Sequence, residues 1–214
     1  MSGMKNNAGK PVLLKIVAAI QQNKDYLGEV DGLIGDGDHG MNMNKGFTMF
    51  GDAIAATEIS LTHGFDELGT ILFSKIGGSM GPIYGTIFMS MAETGGETEV
   101  ITTEVLAAML EAGLASLHDI VGAQVGDKTL VDTLSPAVDA LKKACTGGLE
   151  LAAALPEMKA AAERGRDSTK DLVAKFGRSS RLGERSRGVL DAGAVSCCII
   201  LCALADGILE QLGG

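Results

Sequence analysis

An all-α fold is what this 214-residue sequence predicts, and three observations carry the prediction. Apolar residues recur at helical rather than alternating spacing along almost the whole chain. Hydrophobic residues make up 46% of it but aromatics only 4%, with no Trp. A core of Leu, Ile, Val, Ala and Met suits close helix-on-helix packing better than a sandwich, which leans on aromatic and β-branched side chains. The 30 glycines would argue against helices if scattered. They gather instead at breaks between apolar segments, as at Gly35, Gly37 and Gly40, at Gly77, Gly78 and Gly81, and at Gly183, Gly188 and Gly193.

The elements follow in order. Leu13, Ile16, Val17, Ile20 and Leu27 share one helical face, predicting an amphipathic helix over 11–28. An Asp- and Gly-rich loop, 31–40, follows, and a second helix runs from near Asn42, with Met43 and Phe47, to about Thr57. The third covers Phe65 to Ile76 and stops at Gly77-Gly78. Pro82 opens the next, 82–93, where its fixed φ costs least. Thr103 to His118 repeats the pattern, and Lys128 to Lys143 follows, kinked or started by Pro136. Leu149 to Phe176 reads as a long Ala-rich helix interrupted near Gly165. Ala192 to Leu212, apolar on most sides, closes the chain as a central helix. That makes about eight helices and no strand. In an up-and-down array alternate loops share an end, so 31–40, 77–81, 120–127 and 178–191 are expected to meet. One domain, 1–214, accommodates all of this, with residues 1–10 expected to be flexible.

A net charge of -9 argues against non-specific nucleic-acid binding, which needs a positive field. The N-terminus MSGMKNNAGK is no secretory signal, and the longest apolar run, Ala192 to Ala205, falls below the roughly 18 residues of a membrane span. Cys145, Cys197, Cys198 and Cys202 lack the spacing and histidine partners of a zinc site, so they read as reduced and buried, in a cytoplasmic protein.

The chemistry concentrates in IGDGDHGMNMN, residues 34–44. Gly35, Gly37 and Gly40 match G-x-G-x-x-G, but the segment before them is too short and polar for a central strand, and carboxylates would repel a pyrophosphate. An EF-hand loop fails as well. Begun at Asp36 it puts Met41 and Phe47 where Gly and Glu belong, and begun at Asp31 it puts Leu33 at its third position. Two readings stay open. Asp31, Asp36 and Asp38 either converge on Mg²⁺, which turns the local field attractive for phosphate, or form a solvated loop whose acids cap the next helix. In the first, Asn42 and helix-terminal amides take phosphate oxygens. Gly77-Gly78-Ser79-Met80-Gly81 before Pro82 offers a second anion nest, or a tight turn. Gly126-Asp127-Lys128-Thr129 is not a P-loop, because the G-x₄-G-K-[ST] spacing is missing. Basic residues and turn residues mix in 177–185.

Together DGLIGDGDHGMNMNKGF (31–47), GGSMGPIYGT (77–86), GDKTLVDTLSPA (126–137) and GRSSRLGERSRGVLDAGA (177–194) resemble the nucleotide-binding L subunits of dihydroxyacetone kinases, the DhaL family, in its order and spacing. The resemblance implies an eight-helix antiparallel barrel with ADP or ATP and two Mg²⁺ in loops at one end. It implies Asp31, Asp36 and Asp38 as metal ligands and, with His39, as the catalytic set. His39, Gly40, Met41, Asn42, Gly78, Ser79 and Met80 would lie around the phosphates. Gly122, Leu130, Arg178, Asp191, Ala192 and Gly193 would complete the nucleotide site. Met80 stands where the family has Ser, Arg181 where Tyr is common, and Ala192 where Pro is usual. The implied activity is phosphoryl transfer to dihydroxyacetone, or a related ketose such as erythrulose, bound to a separate K subunit. A DhaM-like phosphocarrier of the phosphotransferase system is the favoured donor, and a homodimer is an expected assembly. A non-catalytic ADP-Mg²⁺-binding regulator and a helical carrier with lipid in its barrel are the alternatives.

Overall fold

A computed structural model describes residues 3–213, and among them nine α-helices carry the fold. They are α1 (Lys10–Gln22), α2 (Lys24–Ile34), α3 (His39–Ile54), α4 (Leu61–Lys75), α5 (Met80–Gly95), α6 (Thr103–Ile120), α7 (Val131–Thr146), α8 (Leu151–Ser168) and α9 (Ala192–Gly213). The expected first helix, 11–28, is thus two helices broken at Asn23. Its backbone N–H still reaches Ala19 O at 3.2 Å, and its carbonyl accepts from Leu27 N at 2.9 Å. The Asn23 side chain also donates to Ala19 O at 2.8 Å, a local bond that competes with regular helix. With α1 and α2 taken as one broken rod, the helices form an eight-membered ring. Successive rods pack on one another, and α9 closes the ring against α1.

Local signals set the ends. Ser60 Oγ accepts from His63 N at 3.2 Å to cap α4, and Thr102 Oγ1 accepts from Val105 N at 3.3 Å to cap α6. Pro136 does not start its helix; α7 begins at Val131 and carries it in the second turn. Gly165 does not interrupt α8 either. It lies where α8 touches α7, and a Cβ there would stand 2.1 Å from Asp132 O. The absence of a side chain is what lets the two helices approach.

The N-terminal segment is ordered from Gly3, contrary to the flexibility expected over 1–10; Met1 and Ser2 lie outside the described residues. Met4–Lys5 pairs antiparallel with Val100–Ile101, two short strands the periodicity did not announce. Asn6 donates to Thr62 Oγ1 at 3.0 Å and to Thr98 O at 2.8 Å. This clip closes the end of the ring away from the glycine loops.

Helix α9 is long and apolar enough to span a membrane by composition, further than the Ala192 to Ala205 run suggested. Its most apolar stretch is 72% buried within the protein, so it is the core helix expected. Side chains fill the interior of the ring. The void bounded by Ile16, Phe65, Phe88, Leu134 and Leu204 is about 20 Å³. Gly165→Ala should lower stability by about 1–3 kcal/mol in urea denaturation, because backbone, not a pliable side chain, opposes the new methyl. A change within error would mean that α7 and α8 separate freely there.

Candidate active site

Four connections meet at one end of the ring: α2–α3, α4–α5, α6–α7 and α8–α9. They enclose a cavity of about 380 Å³. Each also ends in a helix N-terminus, at His39, Met80, Val131 and Ala192. Positive dipole ends are therefore concentrated around one space.

Asp31 is not in the loop but in the last turn of α2, while Asp36 and Asp38 follow in the connection to α3. Ligand atoms of all three carboxylates lie within 4.8 Å of one another. Gly35 permits this, since a Cβ there would meet Asp31 Oδ1 at 2.3 Å. Asp38 precedes α3 without making a side-chain cap. Only Asp31 serves the helix end, its Oδ2 accepting from His39 N at 3.3 Å. Helix capping therefore does not account for the set. Three carboxylates crowded together are the donor chemistry of a hard divalent cation, and the site fits Mg²⁺ on that ground. Arg178 pairs with Asp36, drawing the basic loop across the acids.

Across the cavity, Gly77 and Gly78 have nothing within 4 Å of a virtual Cβ, and Gly78 has φ +74°. Their backbone is open to a ligand, followed by Ser79 and Met80 at the start of α5. The third wall is held by carboxylates. Asp132 accepts from Gly126 N at 2.6 Å and Thr129 N at 2.8 Å, and Asp127 accepts from Gln124 N and Lys175 Nζ at 2.8 and 2.7 Å. Between them Lys128, only 1% exposed and at φ +60°, donates from Nζ to Thr169 O and Val189 O, tying the α6–α7 loop to the α8–α9 connection. Burial pushes its ammonium pKa down.

Asp31, Asp36, Asp38, His39, Asn42, Gly78, Ser79, Met80, Leu130, Arg178, Asp191, Ala192 and Gly193 all line the cavity. Gly40, Met41 and Gly122 do not. Gly40 is a packing residue, with its virtual Cβ 2.0 Å from Lys24 O on α2. Met41 is 62% exposed and faces outward. Gly122 belongs to the loop but not to its lining. Tyr84, Lys128 and Thr129 also line the space; Tyr84 had not been singled out, and Lys128 and Thr129 figured only in the rejected P-loop. The quoted motifs contained all three, but no residue-type rule distinguished them from packing.

Burial pushes the His39 imidazole pKa down, opposed by Asp31 and Asp38. Asp191 is pushed up to about 6 by burial, against the pull of Ala194 N–H, which its Oδ2 accepts at 2.8 Å, and of Lys128.

Residues 33–206 match the family model described as the DAK2 domain. The chain belongs to the DAK2 family. Within that family it is DhaL-like. It is 38% identical over 186 residues to "PEP-dependent dihydroxyacetone kinase 1, ADP-binding subunit DhaL" of Listeria innocua, covering 86% of this chain and 88% of the relative. It is 36% identical over 184 residues to the ADP-binding subunit DhaL of the PEP-dependent dihydroxyacetone kinase of Escherichia coli, covering 85% and 87%. The crystal structure of the dihydroxyacetone kinase of C. freundii superposes with a TM-score of 0.70 at 24% identity. That match covers 94% of this DAK2 chain and 34% of the longer one, a likeness of fold. The eight-rod helical ring is thus the DAK2 architecture.

Titration of Asp191 gives a pH test. Because its folded pKa is raised from 3.8 to about 6, the native state holds this proton more tightly than the unfolded chain does. Its stabilising contribution is full below about pH 4 and is lost as pH rises through 6. Asp191→Asn should therefore gain on the wild type across that window, by at most about 3 kcal/mol, in denaturation series at pH 4 to 7. A constant difference across the series would show that Asp191 titrates as an ordinary carboxylate.

Proposed function

We propose that this chain is the nucleotide-binding subunit of a dihydroxyacetone kinase, holding ADP or ATP with Mg²⁺ and passing the phosphoryl group to a ketose on a separate K-type subunit. The observation that carries the proposal is the carboxylate cluster set across one cavity from an open glycine backbone. The names of the DhaL relatives supply the nucleotide and the acceptor. Their dependence on phosphoenolpyruvate favours a phosphotransferase-system phosphocarrier, which would recharge bound ADP.

Asp31, Asp36 and Asp38 would hold the metal, and the resemblance implies two ions. Bound there, Mg²⁺ would neutralise phosphate charge and so make phosphoryl transfer an electrostatic and positional problem. The chain's own groups do the rest. Amides at Gly78, Ser79 and Met80 offer donors to phosphate oxygens at the start of α5. Leu117, Val121 and Leu130 form an apolar wall that suits a base and excludes water. Asp191, Ala192 and Gly193 offer a capped turn to the remainder of the nucleotide. Arg178 lies within reach of Asp36, so a bound cation competes with it for that carboxylate.

Support for a partner comes from the surface. Leu33, Met41, Phe73, Ile120 and Val125 are exposed apolar side chains in the helix turns and loop at the cavity end. Exposed apolar side chains at that end suit coverage by a second subunit. On this view Met41 contacts the partner rather than the phosphates.

Protein desalted in Mg²⁺ should retain about one ADP per chain, released by EDTA. Asp36→Asn with Asp38→Asn should weaken Mg-ADP binding by roughly 100-fold, since charged metal ligands are lost. Unchanged affinity in the double variant would sink the metal-nucleotide assignment. Dihydroxyacetone phosphate should form once a K-type subunit and a phosphocarrier are added to the ADP-loaded protein. Binding without turnover in that mixture would favour a regulator instead.

A further inference from the structure

The four cysteines are not alike. Cys197 is buried and lines the void inside the ring, and Cys145 lies near the end of α7. Cys198 and Cys202, one turn apart on α9, face α8 instead and bring their sulfurs to 3.9 Å. Cys198 is 2% exposed, whereas Cys202 is half-buried and opens the pair to solvent. Two cations of α8 flank them. Arg166 Nη1 donates to Cys198 Sγ at 3.7 Å, and Lys159, paired with Asp206, adds positive charge beside Cys202. The S–H of Cys198 donates to Cys202 and holds that thiol below its usual pKa, opposed by burial and by Glu163 and Asp206.

Two thiols so placed can close a disulfide or grip an ion between them. Residues four apart on a helix hold their Cβ atoms about 5–6 Å apart, and a disulfide needs about 3.5–4.5 Å. Closing one here would require α9, the core helix, to distort. An ion needs no such movement. With metal–sulfur bonds of about 2.3 Å, sulfurs 3.9 Å apart subtend about 116° at a bridging atom. The ligand count then selects the ion. Among the described residues, the only cluster of three or more His, Cys, Asp or Glu ligands is Asp31, Asp36 and Asp38. The thiol pair therefore has no third or fourth protein ligand, and a structural Zn²⁺ or an iron–sulfur cluster wants four. Cu(I) is a soft ion that thiolates select, and two of them suffice for it.

We infer that Cys198 and Cys202 form a two-thiolate site for a soft monovalent cation, Cu(I), on the α8–α9 face. Binding exchanges two S–H bonds for two S–Cu bonds and releases two protons to solvent, with no change of oxidation state. The resulting copper dithiolate carries one negative charge, which Arg166 and Lys159 offset. The site is independent of the cavity at the end of the ring, whose carboxylates are hard ligands that Cu(I) does not favour.

The test is an anaerobic titration of the fully reduced chain, in Mg²⁺, with Cu(I) in competition with a chromophoric Cu(I) chelator. The wild type should take up one Cu(I) per chain, with X-ray absorption showing two sulfur neighbours. Cys198→Ser and Cys202→Ser should each cut the affinity by more than about 100-fold, since each removes one of two ligands. Cys145→Ser and Cys197→Ala should leave it unchanged. Circular dichroism checks that each variant keeps its helices. If Cys198→Ser disturbs α9, the half-buried Cys202→Ser carries the comparison alone. No uptake by the wild type overturns the inference, as does uptake that survives Cys202→Ser or is lost in Cys145→Ser. Zn²⁺ held as tightly as Cu(I) would also overturn it, because two thiolates alone do not complete a zinc site.

Discussion

Burial of α9 on nearly every side is the constraint from which the rest of the architecture follows. Its Val195, Cys197, Cys198, Ile200, Leu201, Leu204 and Ile208 are all buried, so contacts must come from several directions at once. A large buried aliphatic side chain contributes about 1.5–3 kcal/mol, and no single neighbouring helix can cover a helix that is apolar around its circumference. The chain solves this by closing a ring in which α1, α7 and α8 all pack on α9. Closure with short connections forces alternate loops to one end. The cavity is therefore a geometric consequence of where the apolar surface had to go.

That end of the ring has a divided electrostatic character. Helix N-termini offer positive ends and the Gly77-Gly78 backbone lies open, while Asp31, Asp36 and Asp38 place concentrated negative charge among them. Neither part suits an isolated phosphate: the amides attract it and the carboxylates repel it. A divalent cation reconciles them, because it satisfies the acids and presents its remaining charge to an anion held by the amides. Lys128 and Arg178 cannot substitute for it. Lys128 is consumed by two carbonyls in the loop framework, and Arg178 pairs with one acid only.

Rigidity around the cavity comes from side chains that hold backbone. Asp127 and Asp132 organise the α6–α7 loop, Asp191 caps the start of α9, and Ser196 with Tyr84 braces the histidine at the start of α3. The two sets are joined through Thr169, whose carbonyl takes Lys128 and whose hydroxyl accepts from Asp191 N at 3.1 Å. The α8–α9 connection, long and irregular in sequence, is thus pinned at its start and its end.

Much of this was legible in the sequence where the signal is local. Helical periodicity set the type and approximate span of nearly every helix, because an apolar stripe needs only its own neighbours in the chain to be seen. The acids of residues 31–38 and the glycines of 77–81 were legible as ligand chemistry for the same reason. The break at Asn23 was not, since apolar spacing runs through it and only a side-chain bond to Ala19 O diverts the backbone. Nor was the pairing of Met4–Lys5 with Val100–Ile101, two residues long and almost a hundred apart. Tertiary structure alone decided which glycine does what. Gly78 opens backbone to the cavity while Gly40 lets α3 meet α2, although both read as phosphate-site glycines. It alone decided that Ser196 and Tyr84, 112 residues apart in the chain, meet behind His39. Local pattern records what a segment must bury; which groups meet depends on how all the segments bury it together.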